Sequence, residues 1–294
     1  MKFKILIVIV AVVLAWFAGR SIKSGGESLV HSVQQEVQGD AHDNSSTGGS
    51  IGSATHVTET QSGGSERRIN ESYELADGAQ VDIHGINGPV TVEAVDGNIA
   101  EVRVTTTAKS KRDLDANQII VEHTKTSLVV RGKGSNNWGF WKWLRGGGGE
   151  ARHTVVLKLP RRVELAARGT NGRVTIGEME GSVQVSGING RVEIGGARGH
   201  AEVNGINGSV AITVTEIGEQ GLTVNGINGG VEIRLGGKVN ADLNLNGING
   251  HMTIEAPNVE VKEQKRDKMR ARIGTGGAEI EANGINGGVR VVGV

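Results

Sequence analysis

Apolar and polar residues alternate along most of this chain. Val192 and Ile194 are followed by Ala201 and Val203, then by Val210, Ile212 and Val214. The pattern continues through Leu222 and Val224, Val231, Ile233 and Leu235, Leu243 and Leu245, and Met252 and Ile254. A period of two describes a strand with one face inward and one in water. From Arg161 onward each period holds two such strands and two turns. Earlier, the same alternation begins near Ile69, with Val81 and Ile83, Val90 and Val92, and Val102 and Val104. Residues 112–119 predict the one helix of the domain. Strands are predicted at 120–123, 127–131 and 153–159, the last ended by Pro160.

The turns carry a second pattern. An Asn-Gly motif, most often Gly-Ile-Asn-Gly, places its asparagine at Asn87, Asn171, Asn189, Asn207, Asn228, Asn249 and Asn286. From Asn171 the steps are 18, 18, 21, 21 and 37 residues, the last about two periods. A repeat near 20 residues predicts stacked coils, each touching its neighbours. Asn and Gly adopt a left-handed corner most cheaply. An Asn-Gly pair between strands also reads as a hairpin, so a meander is the rival fold. Identical turns at a fixed spacing favour stacking. In a stack, the motif isoleucine plugs the corner and the asparagines form a side-chain ladder. The expected fold is therefore all-β, a two-sided β-solenoid of about seven to eight coils. At about 4.8 Å per rung it is roughly 35–40 Å long.

Three segments follow. Residues 1–20 are a short basic head and an apolar run with Trp16 and Phe17 near its end. They predict a signal anchor or transmembrane helix, with a cleaved signal peptide as the alternative. No clean small-x-small site follows the run, which favours the anchor. Residues 21–68 are rich in Ser, Gly, Thr, His and Gln and predict a disordered tether. Residues 69–294 form the repeat domain, expected to lie outside the cytoplasm, periplasmic or extracellular.

Composition narrows the chemistry. The formal net charge is zero, so nucleic acid is not an expected partner. Glycine supplies 47 of 294 residues and aromatics only 3%, which suits a narrow aliphatic interior rather than a large aromatic core. There is no cysteine, which excludes disulfides, thiolate metal sites and a Cys nucleophile. No catalytic elbow, phosphate loop or zinc-protease motif occurs, so no enzyme and no cofactor is expected. The turns bear asparagine, a weak calcium ligand, in place of aspartate. The eight histidines are scattered and read as surface or strand-pair residues; His123 and His153, each followed by Thr, are the candidates to face each other across two strands.

The aromatic loop at 132–149 stands out. It holds Trp138, Phe140, Trp141 and Trp143, together with Lys142 and Arg145. Three readings compete: a cap folded over the stack end, insertion among lipid headgroups, and stacking on a glycan or protein partner. The loop is the first candidate contact. The basic run 262–272, which fills the long gap between Asn249 and Asn286, is the second; its plainer reading is a solvated excursion or outer strand.

Alternating strands punctuated by x-x-Asn-Gly-x-[Val/Ile], an apolar head and a C-terminal GGAEIEANGINGGVRV together resemble the putative-adhesin family of β-strand-repeat proteins, within the toast-rack superfamily of envelope solenoids. The resemblance covers about residues 72–294. It implies an exported, membrane-anchored, non-catalytic protein linked to adhesion or envelope-stress sensing. The expected function is an envelope protein whose repeat surface binds a glycan, lipid or protein. The alternative is a structural module that self-associates through its ends. For that alternative, the expected sticky edge is the last motif strand, 289–292.

Overall fold

The computed structural model describes residues 56–61, 65–133 and 151–294. The apolar head, most of the tether and residues 134–150 lie outside this set. The described residues fall in one compact unit, Gly52–Val294. Among the described residues, twenty-two strands form two sheets of eleven.

The chain opens with β1 (His56–Gln61), β2 (Ser65–Glu74), β3 (Gln80–His84), β4 (Val90–Val95) and β5 (Ile99–Ala108). One short helix, α1 (Lys111–Ala116), follows. The Ser110 hydroxyl accepts the Asp113 backbone N–H at 3.1 Å, satisfying one orphan donor of its first turn. Then come β6 (Ile119–Thr124), β7 (Ser127–Gly132) and β8 (Arg152–Pro160). The regular part holds β9 (Glu164–Arg168), β10 (Val174–Met179), β11 (Val183–Ser186), β12 (Val192–Ala197), β13 (Ala201–Asn204) and β14 (Val210–Val214). It continues with β15 (Leu222–Asn225), β16 (Val231–Leu235), β17 (Ala241–Ile248) and β18 (Met252–Glu255). A hairpin, β19 (Val259–Gln264) and β20 (Lys268–Ile273), precedes β21 (Ala278–Ile285) and β22 (Val289–Gly293).

Each motif turn joins a strand of one sheet to a strand of the other. The chain passes from β13 to β14 this way, for example. Like strands then pair in parallel and in register: Val192 lies beside Val210, and Val210 beside Val231. In the other sheet, Val185 lies beside Val203, and Val203 beside Val224. Antiparallel hairpins at the motif turns, the rival expectation, do not form. The inward residues of both sheets share one aliphatic core, in which Val185, Val203, Val224, Val192, Val210 and Val231 are all buried. Because the side-chain period is two, a slip of one residue would turn this whole set into water, which fixes the register.

Stacking does not follow chain order throughout. The strand pairs lie in the spatial order β7/β8, β3/β4, β9/β10, β11/β12, β13/β14, β15/β16, β21/β22, β17/β18. The last motif strand is thus not an edge: β22 is paired with β16 on one side and β18 on the other. The expectation of a sticky rung at 289–292 is corrected accordingly. The reason lies in the hairpin. β20 runs antiparallel to β17 and occupies its outer edge, so β21 pairs along the inner one, against β15. The run 262–272 falls on this hairpin, as an outer strand.

Three of the four sheet ends among the described residues are closed by antiparallel strands: β5, β2 and β1 beyond β8, β6 beyond β7, and β20 with β19 beyond β17. The fourth ends on the parallel strand β18. The strands β1 and β2 also begin before residue 69. Ordered pairing therefore starts at His56, inside the segment 21–68 whose composition reads as tether.

One corner breaks the apolar rule. Thr170 stands where the flanking coils have Ile86 and Ile188. It is 0% exposed, and its hydroxyl has no hydrogen-bond partner. Burying an unpaired hydroxyl costs about 1–3 kcal/mol. Thr170→Ile should therefore raise the unfolding free energy by about 1–3 kcal/mol in a denaturant melt. A loss of stability would mean that this corner lacks room for the extra carbon.

Candidate binding surface

The motif asparagines line up along one corner of the stack as a hydrogen-bonded chain. Asn171 Nδ2 donates to Asn87 Oδ1 at 3.1 Å, Asn189 to Asn171 at 3.1 Å and Asn207 to Asn189 at 3.1 Å. Asn228 donates to Asn207 at 3.0 Å, Asn286 to Asn228 at 2.9 Å and Asn249 to Asn286 at 3.1 Å. All seven amides point the same way, since Asn87 donates in turn to the Ala151 carbonyl at 2.8 Å. Each such bond contributes about 1 kcal/mol, and aligned amides polarise one another. Asn189, Asn207, Asn228, Asn249 and Asn286 are solvent-exposed at this edge.

The aromatic segment is rooted at the start of this chain. A Cβ on Gly132 would lie 2.4 Å from the Gly85 carbonyl oxygen, so Gly132 sits on the first residue of the Asn87 corner. Val155 is level with Val90, and the His153 N–H donates to the Asn87 carbonyl at 2.8 Å. Extended back three and four places, that register sets Arg152 level with Asn87 and Ala151 level with Ile86. Residues 133–150 are thus inserted into a corner of otherwise ordinary length, between its glycine and its second residue. Trp138, Phe140, Trp141, Lys142, Trp143 and Arg145 lie outside the described residues; their two feet are placed.

Those feet are buried. Ala151 packs with Ala108 and Leu114, the inward residue of α1. His153 is 4% exposed, and its Nδ1 lies 3.0 Å from the Thr106 hydroxyl. Burial pushes its pKa down to about 4, so the ring is neutral at pH 7. His153 does not face His123, contrary to expectation, because β8 and β6 belong to different sheets. The His123 ring instead meets the edge of Tyr73, with centroids 4.0 Å apart.

A second amide row was not singled out in the sequence. Asn204, Asn225, Asn283 and Asn246 lie level on the outward face of one sheet. Asn283 donates to Asn225 at 3.2 Å and to Glu281 at 2.7 Å, and Asn204 donates to Glu202 at 2.7 Å. The signal was available: an asparagine recurs three places before the motif asparagine in four coils. On the other sheet an open groove of about 380 Å³ is lined by Arg191, Ser209, Ala211, His251, Thr253 and Arg290, among others. Its two guanidiniums are engaged, Arg191 with Glu193 and Arg290 with Glu255, both at 2.6 Å.

The basic run 262–272 carries internal counter-charges. Glu263 lies 2.6 Å from Lys265, 3.5 Å from Lys268 and 3.7 Å from Arg270, and Arg272 lies 3.4 Å from Asp242. Hydrogen bonding from Lys265 outweighs burial and holds the Glu263 carboxyl below its ordinary range. This pairing reduces the field that the run offers to an anionic polymer. Among the described residues, no group of three or more His, Asp or Glu converges on a metal-sized site, and no helix is long and apolar enough to cross a membrane.

No protein-family model matches the sequence, and no curated protein matches it. Solved structures resemble it distantly. One is described as a putative cell adhesion protein from Clostridium sporogenes, 11% identical, with a TM-score of 0.38; the match covers 77% of this chain and 100% of that one. A putative adhesin from Bacteroides fragilis is 12% identical, with a TM-score of 0.31, covering 76% and 97%. A putative lipid binding protein from Parabacteroides distasonis is 12% identical, with a TM-score of 0.23, covering 76% and 96%.

Proposed function

We propose that this chain is a non-enzymatic binding protein of the cell envelope. Its stacked coils act as a β-solenoid scaffold, held to the membrane by the apolar head 1–20, and its aromatic segment makes contact. The observation that carries this reading is the insertion of residues 133–150 into a single corner. A corner turns the chain elsewhere in the stack with four residues, and here the same rigid frame holds apart the feet of eighteen more. Rigid elements position a binding loop better than a loop positions itself. Trp138, Trp141 and Trp143 favour a boundary between apolar and polar surroundings, and Lys142 and Arg145 favour anionic groups. An anionic lipid surface or a charged envelope polymer presents both.

Joining Gly132 directly to Ala151 tests the reading in the full chain. The corner closes with an ordinary number of residues, so the cooperative melt is retained. Binding to vesicles containing anionic lipid should fall at least about tenfold, since Lys133, Lys142 and Arg145 leave with Glu150, a net loss of two positive charges, each contributing about 1 kcal/mol near such a surface. Substituting alanine at Trp138, Trp141 and Trp143 should weaken binding in the same direction. Collapse of the melt in both variants would identify the segment as a cap and overturn the reading, as would unchanged binding in a folded variant.

A further inference from the structure

We propose that Asn249 is a site of spontaneous deamidation, through the Asn249–Gly250 pair, and that the other motif asparagines are shielded by their neighbours. The inference rests on the amide ladder and does not depend on the binding reading.

The chemistry needs no enzyme. The backbone nitrogen of the following residue attacks the asparagine Cγ, the bond from Cγ to Nδ2 breaks, and ammonia leaves. A five-membered succinimide remains. Water opens it at either carbonyl to give aspartate or isoaspartate, so the sum is amide plus water to acid plus ammonia, with no change of oxidation state. Glycine in the following position removes the side chain that would hinder attack. A rigid corner prevents it, because the amide nitrogen must turn toward Cγ and lose its proton.

Interior corners are held against that motion. Asn207 donates to Asn189 and accepts from Asn228, and the Gly208 N–H donates to the Asn228 carbonyl at 3.2 Å. The Gly190 N–H donates to Asn207 at 3.0 Å, and that of Gly88 to Asn171 at 3.0 Å. These backbone bonds all run toward the next coil of the stack. Asn249 belongs to the turn before β18, and β18 is the last strand of its sheet. Among the seven motif asparagines, Asn249 alone has no ladder donor on its Oδ1: each of the other six accepts from a neighbouring asparagine. Asn249 and Gly250 are both exposed.

The same coil contains its own control. Asn246 is also followed by glycine, yet it lies on β17 between Asn283 of β21 and Lys268 of β20. Two Asn-Gly pairs three residues apart therefore differ in having a strand beyond them. Conversion at Asn249 also has a consequence for the next rung. The amide that donated to Asn286 Oδ1 at 3.1 Å becomes a carboxylate facing that oxygen, so Asn286 loses its partner and the decay moves inward.

The test is to age the folded full chain in mildly alkaline buffer and to locate the amide-to-acid mass change by fragmentation of its peptides. Asn249 should convert about tenfold faster than Asn207 or Asn246, the factor set by an opening cost of about 1.4 kcal/mol at the shielded sites. In denaturant the three rates should converge. Asn249→Asp should speed conversion of Asn286, and Asn249→Gln should leave it slow. Equal rates at Asn249, Asn246 and Asn207 in the folded chain would overturn the proposal. So would a preference for Asn249 that persists in denaturant, since it would then come from local sequence and not from the end of the ladder.

Discussion

Gly208→Ala should destabilise the protein by about 3–5 kcal/mol, the sum of backbone strain of about 1–3 and of lost ladder bonds near 1 each. Gly208 sits at φ +154°, and a Cβ built there would lie 2.1 Å from the Gly190 carbonyl oxygen and 2.7 Å from its carbon. The obstacle is backbone, which cannot swing aside as a side chain can. Moving it means lifting one coil from the next. That motion lengthens the bonds from Asn207 to Asn189 and from the Gly190 N–H to the Asn207 carbonyl, and it opens the core beside Ile206, which is 1% exposed. Gly237→Ala is the matched control, because nothing lies within 4 Å of its Cβ position. It should change stability by less than about 0.5 kcal/mol. Chemical denaturation of the two variants measures both. Similar small effects would show that the coils are not in backbone contact at the motif corner.

The second large effect is on pH dependence. His153 is buried with its pKa lowered to about 4, against an ordinary value of 6.5. Between these values the unfolded chain binds a proton that the folded chain refuses. Stability is therefore complete above pH 6.5 and falls as pH drops toward 4, by up to about 3 kcal/mol in all. His153→Gln should flatten this part of the curve while carboxylate titration at lower pH persists. Parallel curves for the parent and the variant between pH 6.5 and 4 would contradict the burial. The location gives the effect a functional side. His153 is two residues from Ala151, the foot of the aromatic segment, and its N–H holds Asn87 at the first rung. Acid would loosen the root of the candidate contact first.

What could be read in the sequence was what is local. Alternation at Val192 and Ile194, or Val203 and Val210, fixes which side chains enter the core, because strand geometry leaves no choice of face. The motif isoleucines and asparagines stack because identical corners at a repeat of 18 or 21 residues superimpose. The order of the coils was not legible, for an equally physical reason. Residues 225–231 and 283–289 are the same heptad, NGINGGV, so nothing in either chooses its neighbour. The choice is made elsewhere, by the β19–β20 hairpin closing the outer edge of β17. The coil of β7 and β8 was hidden because the insertion splits its corner and it carries no Asn-Gly pair. The early strands β1 and β2 were hidden because a sheet-end ladder of backbone bonds can form on polar residues. For the contact, the sequence displayed the tryptophans, and the structure adds the corner that holds their feet. His153 looked like one of several scattered histidines, and only its pairing with Thr106 across β5 and β8 marks it out.

The central claim is that in-register coils share one core, with the last coil inserted before the β17/β18 pair. It is tested most directly by disulfide trapping, since the chain has no cysteine of its own. Asn225 and Asn283 are level on neighbouring parallel strands. Strand spacing of about 4.8 Å places their Cα atoms within the reach of a disulfide. Asn225 and Asn246 are separated by β21 and stand two spacings apart, roughly 9–10 Å, beyond that reach. Mild oxidation should therefore cross-link Asn225→Cys/Asn283→Cys rapidly and leave Asn225→Cys/Asn246→Cys as free thiols. Rapid closure of the second pair and not of the first would mean that the coils stack in chain order, and closure of neither would mean that they do not stack in register.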